Sequence, residues 1–161
     1  MPAVRAARAQ DLPRLLEIEQ AGFTPAQAAT KESLQARFAV FPENFLVLEK
    51  EGLIRGMVNG MSSSKTRIED SMYEDASLHE KNGRNFLVFS LCVHPDDQKQ
   101  GYGRELMQEL EQICKNRGME RIELTCEAKN LAFYERLGFE NQGISASVHG
   151  ATLWYDMEKR I

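Results

Sequence analysis

Proline, cysteine and histidine are scarce in this chain of 161 residues, at five, three and three copies. Cys92, Cys114 and Cys126 form no C-x-x-C pair and leave an odd count, which argues against a disulfide framework and for buried thiols. His79, His94 and His149 are scattered, and His79-Glu80 lacks the second histidine of a zinc helix, so no metal is expected. Positive charge is also in deficit: 20 Lys and Arg against 24 Asp and Glu give a net charge of −4. No global field is available to hold a phosphate backbone, and nucleic acid is not an expected partner. The apolar runs, such as Phe45 to Leu48 and Phe86 to Phe89, are far short of the roughly 20 residues that span a bilayer, so no membrane partner is expected either. Arg5, Arg8 and Asp11 stand where a signal peptide needs its apolar core, and the expected location is cytoplasmic.

What is present, 42% hydrophobic and 27% charged residues, suits one domain over residues 1–161. Residues 3–8 read as a strand, and Asp11 as the cap of a helix to about Gly22. Thr30 is placed to cap a second helix that Pro42 bounds. Phe45–Lys50 and 53–61 read as a hairpin around Glu51-Gly52, with Gly56 and Gly60 weakening or bulging its second arm. Residues 62–84 are polar and without period, a partly helical insert or a lid. Its acidic residues Glu69, Asp70, Glu74, Asp75 and Glu80 are candidates to attract a cationic amine. Phe86 to His94 is nearly all apolar, as for a central strand covered on both faces. A glycine loop, a helix over 104–117, a strand over 121–126, a short helix turning at Gly138 and a closing strand or hairpin follow.

The order strand, glycine loop, helix sets unpaired backbone amides at a positive helix end, a site for a phosphate or diphosphate. Gly101 and Gly103 have no Cβ to block the approach, and Lys99 and Arg104 add local charge. A nucleoside-triphosphate loop is excluded because no Lys-Ser or Lys-Thr follows either glycine at the required place. A dinucleotide fingerprint is excluded because Leu106 stands where its third glycine belongs.

Gln98-x-x-Gly101-x-Gly103 after Val93-His94-Pro95, with Asn130 to Phe139 (NLAFYERLGF) downstream, resembles the GNAT superfamily of acyl-CoA-dependent N-acyltransferases. Leu16 to Phe23, Leu124 to Glu127 and the HGATLWYDME ending look most similar to its arylalkylamine N-acetyltransferases. The resemblance implies an α/β fold: a mixed, twisted sheet of about seven strands with helices on both faces, splayed between strands four and five. It implies acetyl-CoA as co-substrate, with Leu91, Cys92 and Val93 offering backbone groups to the pantetheine arm. Gln98, Lys99, Gln100, Gly101, Tyr102, Gly103 and Arg104 would hold the diphosphate, and Tyr134 would contact the cofactor and protonate the departing thiolate. Direct transfer to a small primary amine in a ternary complex follows by the same resemblance, in a monomer or homodimer. A protein or peptide amine, or an idle acyl-CoA sensor, are the alternatives.

An alkylamine near pKa 10.4 needs about 4.6 kcal/mol to lose its proton at pH 7, so a base or water relay is wanted. Arylalkylamine members carry two histidines on strand four, where this chain has Leu87 and Phe89. Glu17, Glu19 and Glu127 are the candidate bases. Phe23, Phe89, Cys126 and Glu127 are candidate acceptor contacts, with Phe41 and Trp154 as further aromatic walls. His94 is expected to be structural.

Overall fold

The computed structural model describes residues 1–161 as a seven-stranded sheet of order β1-β2-β3-β4-β5-β7-β6. The strands are β1 (Ala3–Ala6), β2 (Phe45–Lys50), β3 (Leu53–Ser63), β4 (Asn85–Val93), β5 (Arg121–Cys126), β6 (Glu140–Ile144) and β7 (Tyr155–Arg160). Only β4 and β5 run parallel; every other neighbouring pair is antiparallel. The mixed sheet expected from the sequence is therefore present.

Helices cover both faces. On one, α1 (Leu12–Gly22) and α2 (Lys31–Val40) close a core of Leu15, Ile18, Leu34, Phe41, Phe45 and Leu87, with the short α3 (Asp70–Glu74) beside them. On the other, α4 (Tyr102–Asn116) buries Leu106, Met107, Leu110 and Cys114 against Phe86, Val88, Ile122 and Leu124, and α5 (Leu131–Arg136) adds Tyr134. Burial of apolar side chains on both faces explains why β4 reads as continuously apolar.

Local chemistry sets the element ends. Thr30 Oγ1 accepts from the Ser33 amide at 3.1 Å and caps α2. Glu51 and Gly52 both have positive φ (55° and 75°), the backbone a tight β2–β3 hairpin needs. Asp11, in contrast, does not cap α1 with its side chain: a 3-10 turn (Ala9–Asp11) comes first. Its carboxylate takes the Arg8 amide at 2.8 Å and both Arg5 nitrogens at 2.8 and 3.2 Å, so it ties β1 to the helix entry. The Arg5 hydrogen bond foremost holds its carboxyl below the usual range.

Residues 62–84 form a partly helical insert: β3 runs on to Ser63, then α3 follows. Four of its five acidic residues are used structurally, while the fifth, Glu74, is exposed, makes no ion pair and lines a pocket beneath α1 and α2. Glu69 pairs with Lys65, Asp75 takes the Ser77 amide at 3.1 Å, and Glu80 takes the Ser64 amide at 2.8 Å. Asp70 accepts from Ser147 Oγ and, at 3.0 Å, from the Val148 amide, which pins the insert to the β6–β7 loop.

Candidate active site

Two features of β4 build the site. The first is where its pairing with β5 stops: the register runs from Asn85↔Arg121 to Val88↔Leu124, while both strands continue, to Val93 and Cys126. The strands splay beyond Val88, and the β5-facing backbone of the last β4 residues is left without a strand partner. The second is a bulge: Asn59 pairs Ser90, but the next β3 residue, Gly60, pairs Val88. Phe89 is the extra residue, and it shifts the in–out alternation by one. Leu91 and Val93 thereby face the α4 side, while Phe89 and Ser90 both face the α1–α2 side.

On the α4 side a groove of about 570 Å³ runs from Leu91 and Val93, past Gln98, Lys99, Gly101, Tyr102, Gly103 and Arg104, to Asn130, Phe133, Tyr134 and Arg136. The amides of Gln98 through Arg104 find no acceptor anywhere in the chain; for the first turn of α4 this follows from its cap residue, Gly101, which has no side chain to offer. Lys99 (φ 64°) and Gly101 (φ 82°) are both left-handed, the backbone alternation that curls successive N–H groups around an anion. At Gly103 a Cβ would make only ordinary contact, 3.4 Å from Phe133 Cζ, so it is the larger side chains that would project into the groove there. With Lys99, Arg104 and Arg136 on the rim, this loop fits a diphosphate inside an otherwise acidic protein. Gln100 does not line the groove; its Oε1 accepts from the Tyr102 hydroxyl at 3.1 Å, leaving only its amide to face a ligand. His94 Nδ1 accepts from the Asp96 amide at 3.2 Å, a structural histidine.

Tyr134 lines the same groove. Its ring packs edge-on against Phe133 and Phe139, at 5.0 and 5.7 Å between centroids. Its hydroxyl has no hydrogen-bond partner in the chain, yet is not sealed from the groove, unlike the satisfied hydroxyl of an ordinary core tyrosine. Burial, reinforced by the Cys126 and Cys92 thiols, pushes its pKa well above the usual phenol value, so it holds its proton at all ordinary pH.

On the α1–α2 side a small pocket of about 60 Å³ is lined by Glu19, Phe23, Gln27, Arg37, Tyr73, Phe89, Ser90, His149 and Trp154, among others. Glu19 is 2% exposed; its Oε2 accepts from the Ala29 amide at 2.8 Å and its Oε1 has no donor. Burial is the main force that raises its pKa above the normal carboxyl range, outweighing the Ala29 amide, the Ser90 hydroxyl and the Arg37 charge. His149 stacks on Tyr73 at 4.6 Å, and its Nε2 bonds the Gln27 carbonyl at 2.8 Å. A carbonyl only accepts, so Nε2 carries the proton.

Of the three carboxylates read as candidate bases, only Glu19 reaches the pocket. Glu17 is largely exposed and pairs with Arg14 at 3.2 Å, one helical turn away from the core-facing side. Glu127 pairs with Lys129 at 3.8 Å and lines neither cavity. Cys126 is buried in the α4-side core and lines neither cavity; burial pushes its thiol up to about 11. Cys92 faces α1, donating to the Ile18 carbonyl at 3.2 Å, and burial pushes it up to about 12. Only its backbone is left for the groove, and neither thiol is an activated nucleophile. Phe41 stacks on Phe45 in the core, whereas Phe23, Phe89 and Trp154 do wall the pocket. Sequence reasoning missed Arg37, Tyr73, Ser90 and His149 here, and Asn130, Phe133 and Arg136 in the groove.

Residues 12–139 match the acetyltransferase (GNAT) family. Serotonin N-acetyltransferase of Mesocricetus auratus is 26% identical over 153 residues, which cover 92% of this chain and 72% of that protein. The [ribosomal protein bS18]-alanine N-acetyltransferase of Escherichia coli K12 is 35% identical over 68 residues, 40% of this chain and 46% of its own length. Among solved structures, the GphF GNAT-like decarboxylase in complex with isobutyryl-CoA superposes with a TM-score of 0.85 at 20% identity, over 98% of each chain. With a family match that spans most of its length, both helix layers and the β4–β5 splay, this chain belongs to the GNAT acetyltransferase family.

Proposed function

We propose that the protein is an acetyl-CoA-dependent N-acetyltransferase that moves the acetyl group directly to a small primary amine within a ternary complex. The observation that carries this is the run of acceptor-free amides from Gln98 to Arg104, opening onto a groove that an unpartnered phenol also lines. Acetyl-CoA supplies the activated thioester; everything else is asked of the chain. The loop amides hold the diphosphate, and the splayed backbone of Leu91 to Val93 holds the pantetheine arm. Tyr134 is the catalytic acid: as the thioester C–S bond breaks and the amide N–C bond forms, its hydroxyl gives the departing sulfur a proton. Glu19 takes the proton the amine loses, directly or through water. Its raised pKa brings it closer to the operating range of a base at neutral pH than an ordinary glutamate. The high pKa values of Cys92 and Cys126 speak against an acyl-cysteine route.

A second reading, an N-terminal peptide amine as acceptor, is supported by the likeness to the bS18-alanine enzyme over 68 residues. Thiol release from acetyl-CoA, measured against small amines and against peptides with free N-termini, separates the two. Thiol release with small amines supports the first reading; release with peptides alone supports the second. Binding of acetyl-CoA with no release for any amine between pH 6 and 9 overturns both and leaves an acyl-CoA sensor.

A further inference from the structure

Arg37 lies in the acceptor pocket and is only 3% exposed. Its guanidinium donates to the Tyr73 carbonyl at 2.9 Å and, at the long distance of 3.4 Å, to Asn59 Oδ1, and it sits 4.9 Å over the Phe89 ring. All three partners are neutral. A guanidinium has five N–H donors, and here the Nε–H has no acceptor at all. No carboxylate pairs with it, although Glu19 is near enough to be felt electrostatically. A buried cation without a counter-ion is costly, and an arginine stays charged when buried.

The same pocket holds the complementary deficiency. Glu19 Oε1 is buried and makes no hydrogen bond, although the Ser90 hydroxyl is close enough to lower the carboxyl's pKa, while Oε2 is fixed on the Ala29 amide. The carboxyl and the guanidinium are held apart by their separate backbone anchors, Ala29 for one and Tyr73 for the other, and line one cavity of about 60 Å³. A ligand that answers both groups is short, with an amine at one end and an anion a few bonds away.

We infer that the acceptor is a small free α-amino acid, its carboxylate docked on Arg37 and its amine presented on the Glu19 side. This rests on the acetyl-transfer reading above and deepens it. An arylalkylamine leaves Arg37 without a counter-ion. A peptide N-terminus offers a neutral carbonyl where the guanidinium is set to receive a charge-assisted, two-pronged partner. The transfer step is unchanged: the amino nitrogen gains the acetyl carbon and loses one proton towards Glu19, and the sulfur gains one from Tyr134.

The test is a series of acceptors matched in size, read by thiol release: glycine and alanine, their amides, methylamine and ethylamine, tryptamine, and an alanine-initiated peptide. The expected result is a kcat/KM at least tenfold higher for the free amino acids than for amides or decarboxylated amines. In Arg37→Met this preference falls below threefold, chiefly through a rise in amino-acid KM, with calorimetric CoA affinity unchanged. Arg37→Lys restores part of the preference. Should Arg37→Met fail to fold, the acceptor series on the unaltered enzyme decides alone. Equal or better use of ethylamine, tryptamine or the peptide overturns the inference while leaving acetyl transfer standing. Silence with every acceptor, at full CoA binding, overturns the acetyl-transfer reading itself and this inference with it.

Discussion

Replacing Tyr134 by Phe removes one oxygen and nothing else that the structure uses. The hydroxyl makes no hydrogen bond in the chain, so no protein partner is orphaned, and both edge-on contacts, with Phe133 and Phe139, are ring contacts that Phe keeps. Folding stability should therefore change by less than about 0.5 kcal/mol. The loss appears in the barrier: a missing general acid costs about 10² to 10⁴ in rate, roughly 2.7 to 5.4 kcal/mol at 1.36 kcal/mol per decade. Thiol release under saturating acetyl-CoA gives kcat, and calorimetry gives CoA affinity, which should stay within about twofold because the loop amides are untouched. Because burial holds the Tyr134 pKa above the usual phenol value, the unaltered enzyme should show no loss of activity from this group up to pH 10. Undiminished kcat in Tyr134→Phe would refute the assignment of the acid. So would a variant that loses CoA affinity and kcat together, since the residue would then be acting in binding.

Three further outcomes follow from the same geometry. Gly103→Val puts methyl groups at the groove wall beside Phe133 and should weaken CoA binding at least tenfold by calorimetry, with helical circular dichroism retained; unaltered affinity counts against the loop. In Glu19→Gln, kcat should drop about 10²-fold and the acid limb of the kcat/KM profile should vanish. The sign is fixed by burial: the carboxyl pKa is raised, so the base form, and activity with it, is gained as pH rises through a value above 4.5. Glu123→Gln tests a different buried carboxyl, pushed up to about 9 by burial and by the neighbouring Glu158. The native state holds a proton there that the unfolded chain releases near 4.5, so its contribution is full below 4.5 and is lost as pH rises towards 9. The variant should match the parent at pH 5 and exceed it at pH 9 by about 1 kcal/mol, about 2–4 °C in Tm; a lower Tm at pH 9 would be the wrong sign.

The groove was legible because its determinants are local. The Gln98-to-Gly103 loop, its strand and its helix are contiguous, so motif and geometry coincide, and Tyr134 follows on the next helix. The pocket beneath α1 and α2 was legible only in part: Glu19, Phe23, Phe89 and Trp154 were read from the sequence, and Arg37, Tyr73, Ser90 and His149 were not, for two physical reasons. Glu19, Arg37, Tyr73 and His149 come from four separate segments and converge only through the fold. The bulge at Phe89 was also hidden, because a strand covered on both faces has no polar alternation from which a one-residue shift can be read. Glutamates 17, 19 and 127 look alike as letters; one faces the core, and the other two face lysine or arginine at the surface. Asp11 was read as a cap from its position alone, when the stronger claim on its carboxylate is the Arg5 guanidinium across the β1–α1 turn.

We propose that the free amides from Gln98 to Arg104 grip the diphosphate of the thioester carrier. Amide proton and nitrogen shifts recorded by NMR during titration with CoA, and separately with pantetheine, address each of those groups by name. The account predicts saturable downfield shifts of these amides with CoA and none with pantetheine, which has no diphosphate. CoA that binds while those amides stay where they were would contradict it.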